Sequence, residues 1–596
     1  MSSKNTWLWL TVAVALFAFI FLFEHFRPHP VVGPSYLLPD LDAQTVKSVQ
    51  IRPAGQPEIR VERTNGGWRL TEPVDYPAQS TNVQKLLDTL QKLTVAHRIA
   101  ENELRKDPKA AADYGIEPPQ LSLILDSGRP ILFGHRTSPG DQVFVRIPGI
   151  EGVAVVDSAV LDLFPANAND WRDVRLADMG GAPFDKIVVT NTTRSQWSFV
   201  LQRDSTNRLW AMTFPLKVRA DSEKVDDAVQ KLQQLQVHDF VSDDPKADLD
   251  SFGLLTPALT FALGQGSNSV LVLDFGKELT NSPGLIYARR RDQTAVVTLS
   301  TNSLTQWNTS YDVFRDRHLV TMLGPVDSIK VIAQDEFSLQ WRTNNTWRVM
   351  PQDFPADDAL ATRLVRTLSE LQVADFVKDS VSDTLLPQYP QYGLAKPDRQ
   401  FIIAWAPSAT ATNAPTIIDF GVNTNNQVFA RRIGEESVYG ITPADFEALP
   451  SASWQMRDRH IWSFDVTNVA HITIQQEGKT REIVHKGTNG WALAPGSSGM
   501  INDSAIDNTV RELGHLTAFS WVGHGADKLA GFGIDPKLYQ LTIELKTGEK
   551  LSFQLGNHTR LGSAYASVLL NGEPWIFEFP PDVLPSVAFS LSIPST

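Results

Sequence analysis

Not one cysteine occurs in the 596 residues. That absence excludes disulfides, zinc–thiolate centres, iron–sulfur clusters and a cysteine nucleophile. Basic runs are missing too: 54 Lys and Arg against 67 Asp and Glu leave a formal net charge of −13. A phosphate backbone needs a basic face to displace its counterions, so no nucleic-acid partner is expected. The same balance argues against an electrostatic hold on anionic lipid. The chain also lacks H-E-x-x-H, G-x-S-x-G and G-x-x-x-x-G-K-[ST] signatures. Its closest glycine-rich stretch, Gly523-His524-Gly525, has no third glycine and reads as a loop. His515 and His524 form the one near pair among 12 scattered histidines. They flank different elements, so no metal site is expected. Asp243, Asp244, Asp248 and Asp250, interrupted by Pro245 and Lys246, lack the ligand spacing and turn glycine of a calcium loop. They read as a solvated loop. No catalytic, cofactor-binding or metal-binding residue is assigned, and no enzymatic activity is expected.

One long apolar run is present. Residues 5–23 carry no charge, and WLWLTVAVALFAFIFLF fills positions 7–23. As a helix this uncharged stretch covers about 28 Å, close to the hydrocarbon thickness of a bilayer. Trp7 and Trp9 suit one interface; Glu24, His25 and Arg27 close the other end. The following FEHFRPHP does not offer the small residues of a signal-peptidase site. These features predict a single-pass anchor within residues 1–30, with Lys4 on the cytoplasmic side and the bulk of the chain extracytoplasmic.

The remainder repeats. A tryptophan recurs at Trp68, Trp210, Trp347 and Trp491, with separations of 142, 137 and 144 residues. An aromatic-Gly step recurs as Tyr114-Gly115, Phe252-Gly253, Tyr392-Gly393 and Phe532-Gly533. A second step follows as Phe133-Gly134, Phe275-Gly276, Phe420-Gly421 and Leu555-Gly556. Landmarks in fixed order at a near-constant period define four copies. The modules are expected at residues 40–178, 179–323, 324–465 and 466–596.

Between the tryptophan and the first aromatic-Gly step, each copy carries a helical stripe. Val83, Leu86, Leu87, Leu90 and Leu93 share one face. Val225, Ala228, Val229, Leu232 and Leu235 repeat the spacing, as do Ala361, Leu364, Val365, Leu368 and Leu371. Ile506, Thr509, Val510, Leu513 and Leu516 form the fourth stripe. Ser80, Asp221, Asp357 and Asp503 are the expected caps. Alternating segments such as VKSVQIRP and VDSIKVIA read as strands, with Asn65-Gly66-Gly67 and Thr488-Asn489-Gly490 as turns. The expected order is β-β-α-β-β-β-β-α, an α+β module with a mainly antiparallel sheet, one long and one short helix, and its own core.

The first three copies end in Arg172-Asp173, Arg315-Asp316 and Arg457-Asp458. Such a pair could bind a polar ligand in each copy. The favoured reading is structural: the pair caps the last helix and fixes the link to the next module through bidentate hydrogen bonds. The four repeat tryptophans fall on the inward face of a hairpin and are expected in cores. Trp405, Trp454, Trp462 and Trp575 have no assignment from sequence.

This arrangement resembles the domain-of-unknown-function 4340 family. The resemblance is carried by the apolar N-terminal run, G-G-W-R-L at residues 66–70, the helix stripe, and aromatic-Gly-[Leu/Ile]-x-x-Pro at 114–119, 252–257 and 392–397. In the fourth copy the proline moves to Pro536 and the Arg-Asp pair is missing. The family landmarks mark fold and not chemistry. The resemblance implies a companion of ABC-type transport systems, similar to gliding-motility auxiliary components, in a bacterial envelope. Three functions are carried forward: a membrane-anchored, non-enzymatic extracytoplasmic scaffold of the inner membrane, auxiliary to transport subunits; a repeated module binding envelope glycan or another ligand; and a hydrolase with an unrecognised site.

Overall fold

A computed structural model describes residues 3–25, 35–407, 414–487, 490–560 and 562–593. Four sheets account for most of the chain, three of nine strands and one of eight. All pairings within them are antiparallel, as in Ser48↔Glu62 and Val49↔Leu125 of the first sheet. The chain divides into two compact units, Met1–Phe314 and Arg315–Thr596, each holding two of the sheets.

The first module shows the plan. Strands β1 (Ser48–Pro53), β2 (Ile59–Thr64), β3 (Gly67–Glu72) and β4 (Tyr76–Pro77) form a meander that ends on a sheet edge. Helix α2 (Ser80–Gln91) follows, and then β5 (Val95–Ile99) takes the opposite edge. Strands β6 (Leu121–Leu125), β7 (Ile131–Arg136), β8 (Gln142–Arg146) and β9 (Val153–Asp157) fill the space between β1 and β5. Alternation sends Val49, Ile51, Val61 and Leu70 to one face, where α2 lays Val83, Leu86, Leu87 and Leu90 on them. These four helix side chains are fully buried, and each contributes about 1.5–3 kcal/mol through burial. The other long helices, α3 (Ser222–Gln233), α4 (Asp358–Glu370) and α5 (Asp503–Leu513), bury the expected stripes in the same way, save that Val365 is half-buried.

Nine strands in each of the first three modules exceed the sequence expectation of six by three: the strand that carries the repeat tryptophan is separate from the one leading to it, and two more escape altogether. One is the short edge strand, Tyr76–Pro77, Val218–Arg219 or Phe354–Pro355. The other is the strand after the long helix, which has few apolar residues because only one face is covered. The second helix is mostly short 3-10 turns, as in Ser158–Leu163 and Ala168–Trp171. Caps also shift by one residue. Gln79 and Asn502 stand at the cap positions expected for Ser80 and Asp503, while Asp221 and Asp357 cap as expected. The first helical residue has another task in three modules, since Ser80, Ser222 and Asp358 accept the backbone N–H of Trp68, Trp210 and Trp347. That bond ties the start of each helix to its hairpin.

The two glycine landmarks meet in space. A Cβ on Gly134 would lie 2.1 Å from the Tyr114 carbonyl, and one on Gly276 at 2.1 Å from that of Phe252. Gly115 and Gly253 turn the chain there at φ of 67° and 68°, a left-handed conformation that favours glycine. A repeated Gly-to-Gly close approach is thus the reason for two of the sequence landmarks.

Separate cores hold only in the first unit. There the first two modules have their own clusters, whereas the third and fourth share one running from Leu319 to Leu591. Phe354 and Trp575 touch edge-on at 5.8 Å between centroids within it. The first module also starts before residue 40, since Leu37 is buried and bonded to Leu93.

Helix α1 (Ser3–His25) covers the apolar run. Its described side chains, Trp7 and residues 9–23, are exposed. Among the described residues no helix is long and apolar enough to cross a membrane. The side chains of Lys4, Glu24 and His25, together with Arg27 and the Thr488-Asn489 turn, lie outside the described residues.

Candidate functional site: the arginine joints

Each Arg-Asp pair sits where one module ends. Gln79, Asp221 and Asp357 donate their backbone N–H to the carbonyls of Trp171, Phe314 and Met456, which directly precede the arginines. In the first and third modules Asp173 and Asp458 return the favour by donating to Pro77 and Pro355. The backbone of the pair is thereby fastened to the hairpin and helix start of its own module.

The side chains then part company. Asp173 accepts from the backbone N–H of Arg175 at 3.0 Å, Asp316 from that of His318 at 2.9 Å, and Asp458 from that of His460 at 3.0 Å. Each aspartate thus turns its own linker. The linker then pairs with the segment after the next long helix, through Arg175↔Gln236, His318↔Gln372 and His460↔Thr517.

Arg172 points into the second module. It is fully buried, and its two Nη atoms reach the Asp243 carboxylate at 2.9 and 2.6 Å. Its guanidinium lies 4.2 Å from the Tyr76 ring centroid and 3.7 Å from that of Phe240. A planar cation between aromatic faces, with a bidentate carboxylate at its edge, suits arginine and not lysine. Burial pushes the Tyr76 phenol up to about 12, against the pull of Arg172. Arg315 repeats the arrangement, bonded to Asp379 at 3.0 and 2.7 Å and lying 3.8 Å from the Phe376 ring.

The third joint uses aromatics in place of the carboxylate. Arg457 lies 4.0 Å from the Trp575 ring centroid, 4.9 Å from Phe354 and 5.8 Å from Trp521. At the Asp243 position stands His524, whose Nδ1 is 2.8 Å from Glu573 and whose ring stacks on Trp575. Burial lowers the proton affinity of Arg457, with Asp458 and Glu573 opposing. Trp521 Nε1 donates to the Asp458 carbonyl at 3.0 Å and locks the indole to the linker.

The bidentate partner of Arg172 and of Arg315 is a distant aspartate, whereas Arg457 is held among aromatic rings. One sequence expectation is corrected here. Asp243 is the acceptor of a buried arginine and not part of a merely solvated loop, although Asp244 and Asp248 do serve local turns. A signal for the acceptors stood in the sequence as D-F-V-x-D, at 239–243 and 375–379. His524 is engaged by Glu573, and among the described residues no group of three metal-ligating side chains stands together. The repeat tryptophans are core residues, between 1% and 6% exposed. Trp405, Trp462 and Trp575 are buried as well, and Trp454 packs against the same core.

Fold and joints together define a class: tandem antiparallel-sheet modules, the first and the third each closed by an arginine that plugs into the next. The family model described as "Domain of unknown function (DUF4340)" matches residues 68–208, 210–385 and 341–530, and the chain belongs to that family. Two of the matched segments begin at Trp68 and Trp210, and a third at Trp341, close to Trp347. No curated protein matches the chain. One solved structure, of a mosquitocidal holotoxin, is 8% identical over 90% of this chain and 68% of that one; its TM-score of 0.10 carries no argument.

Proposed function

We propose that this is a membrane-anchored, non-enzymatic interaction protein, an extracytoplasmic set of modules auxiliary to an ABC-type transport or envelope complex. The observation that supports this most is the use of the repeated polar side chains. Arg172 with its carboxylate and Arg457 with its aromatic cage are engaged in holding modules together, which suits a protein whose product is a surface and not a reaction. The apolar run at residues 5–23 supports the anchor, with the N-terminus cytoplasmic in a bacterial inner membrane. Resemblance within the family supports the transport association.

Crosslinking of tagged full-length protein in native membranes, followed by gentle solubilisation, tests the reading. Co-purification of permease or ATPase subunits is expected. A preparation that brings down no membrane protein, or only envelope glycan, defeats it. Replacing residues 1–30 by an unrelated anchor then locates the contact: retained partners belong to the modules, lost partners to the native span.

A further inference from the structure

Near the end of the strand leading to each repeat tryptophan stands a side chain paired across the hairpin with it: Arg63 with Trp68, Arg203 with Trp210, Trp341 with Trp347, His485 with Trp491. The Arg63 guanidinium lies 4.7 Å from its indole centroid, and that of Arg203 lies 4.6 Å from its own. In the second module a helix carboxylate completes the set. Asp226 accepts from Trp210 Nε1 at 2.9 Å and pairs with Arg203.

The first module lacks that carboxylate. Gln84 holds the matching position on α2, its amide oxygen 3.3 Å from Arg63 and its amide nitrogen donating to Asp88 at 2.9 Å. Beside it opens a cleft of about 1100 Å³, walled by Arg63, Trp68, Thr81, Gln84, Lys85 and Lys92 among others. Trp68 is only 5% exposed. Among the described residues its indole N–H has no acceptor, and Lys85 and Lys92 have no carboxylate partner. Two carboxylates also line the cleft, but Asp88 is engaged by Gln84 and Asp157 accepts from the Ala159 N–H at 2.8 Å. Where the first module has Gln84 and Lys85, the second has Asp226 and Asp227. The charge of the helix face reverses, and with it the need for an external acceptor.

We infer that the first-module cleft docks a carboxylate-bearing segment of a partner polypeptide, whose carboxylate takes the place that Asp226 takes in the second module. This rests on the interaction reading above and supplies the chemistry of its partner. Arg63 covers the Trp68 ring, so the indole face is not free for a sugar to stack on. Charge and hydrogen bonds remain, and acidic side chains supply both.

The probe is a short fluorescein-labelled peptide of alternating Asp and Gly, titrated by anisotropy into the full chain in micelles. The comparison protein carries Q84D with D88Q, which copies Asp226 and Gln230 of the second module and therefore keeps a precedent for folding. The wild type is expected to bind, and the double variant to bind at least about tenfold more weakly with an unchanged melting profile. Charge reversal at K85E and K92E is expected to weaken binding as well. No binding by the wild type, or equal binding by the double variant, overturns the proposal. Preference for a polygalacturonate oligomer over the peptide overturns the polypeptide assignment. The titration needs no native partner, so its result stands apart from the co-purification.

Discussion

Arg172 and Asp243 are 71 residues apart in sequence and joined by two hydrogen bonds of 2.9 and 2.6 Å. The arginine belongs to one sheet module and the aspartate to the next. Arg172 is fully buried, while the Asp243 side chain is 33% exposed. The cation therefore depends on its partner more than the carboxylate does.

Removing the acceptor is accordingly worse than replacing the whole socket. Asp243→Ala strands a buried guanidinium and is expected to cost about 3 kcal/mol, at the low end for a broken buried pair because water reaches the aspartate. Arg172→Met with Asp243→Leu is expected to recover most of that loss. Hydrogen exchange at the Leu176 and Val237 amides, which bond across this joint, reads the difference directly. Equal protection in wild type and Asp243→Ala would contradict the joint.

The third joint responds to a different change. Trp575 touches Arg457, His524, Phe354 and Trp521, so Trp575→Ala removes a whole wall of the cage. A cost of about 3–5 kcal/mol is expected, seen as faster proteolysis of the second unit. With no carboxylate bonded to Arg457 among the described residues, this joint is expected to hold in molar salt, where ordinary ion pairs are screened.

Gly276→Ala tests the meeting of the two glycine landmarks. Its Cβ would stand 2.1 Å from the Phe252 carbonyl, so the backbone must move, at a cost of about 1–3 kcal/mol. A lowered melting temperature is expected, whereas Gly266→Ala, a left-handed turn in open space, is expected to show only the smaller conformational penalty.

Asp419 supplies the pH dependence. It is 7% exposed, and burial raises its pKa above the usual aspartate value, opposed by the hydrogen bond from Gln400. A carboxyl with a raised folded pKa weakens the native state once pH rises through that pKa. Below the unfolded value both states are protonated and the penalty vanishes. Asp419→Asn, which keeps an acceptor for the 2.7 Å bond from Gln400, is therefore expected to stabilise the protein at neutral pH. The gain should disappear as pH falls below the ordinary aspartate range. Denaturation midpoints across that range measure it, and a constant difference would exclude Asp419 as the source.

Sequence alone determined the count of modules, the buried stripe of each long helix and the inward tryptophans. These follow from local periodicity and from landmarks that recur near every 140 residues, and neither needs knowledge of distant contacts. Even the arginine half of each joint was legible, because it repeats. Its acceptors were not, although D-F-V-x-D recurs at 239–243 and 375–379. An edge strand buried on one side carries too few apolar residues to announce itself, and a carboxylate in an acidic loop looks the same whether it meets water or a guanidinium. Which aspartate receives Arg172, why His524 replaces it at the third joint, and why two modules share one core are decided by register and by the reach of side chains across a joint. Those distances exist only once the sheets have formed.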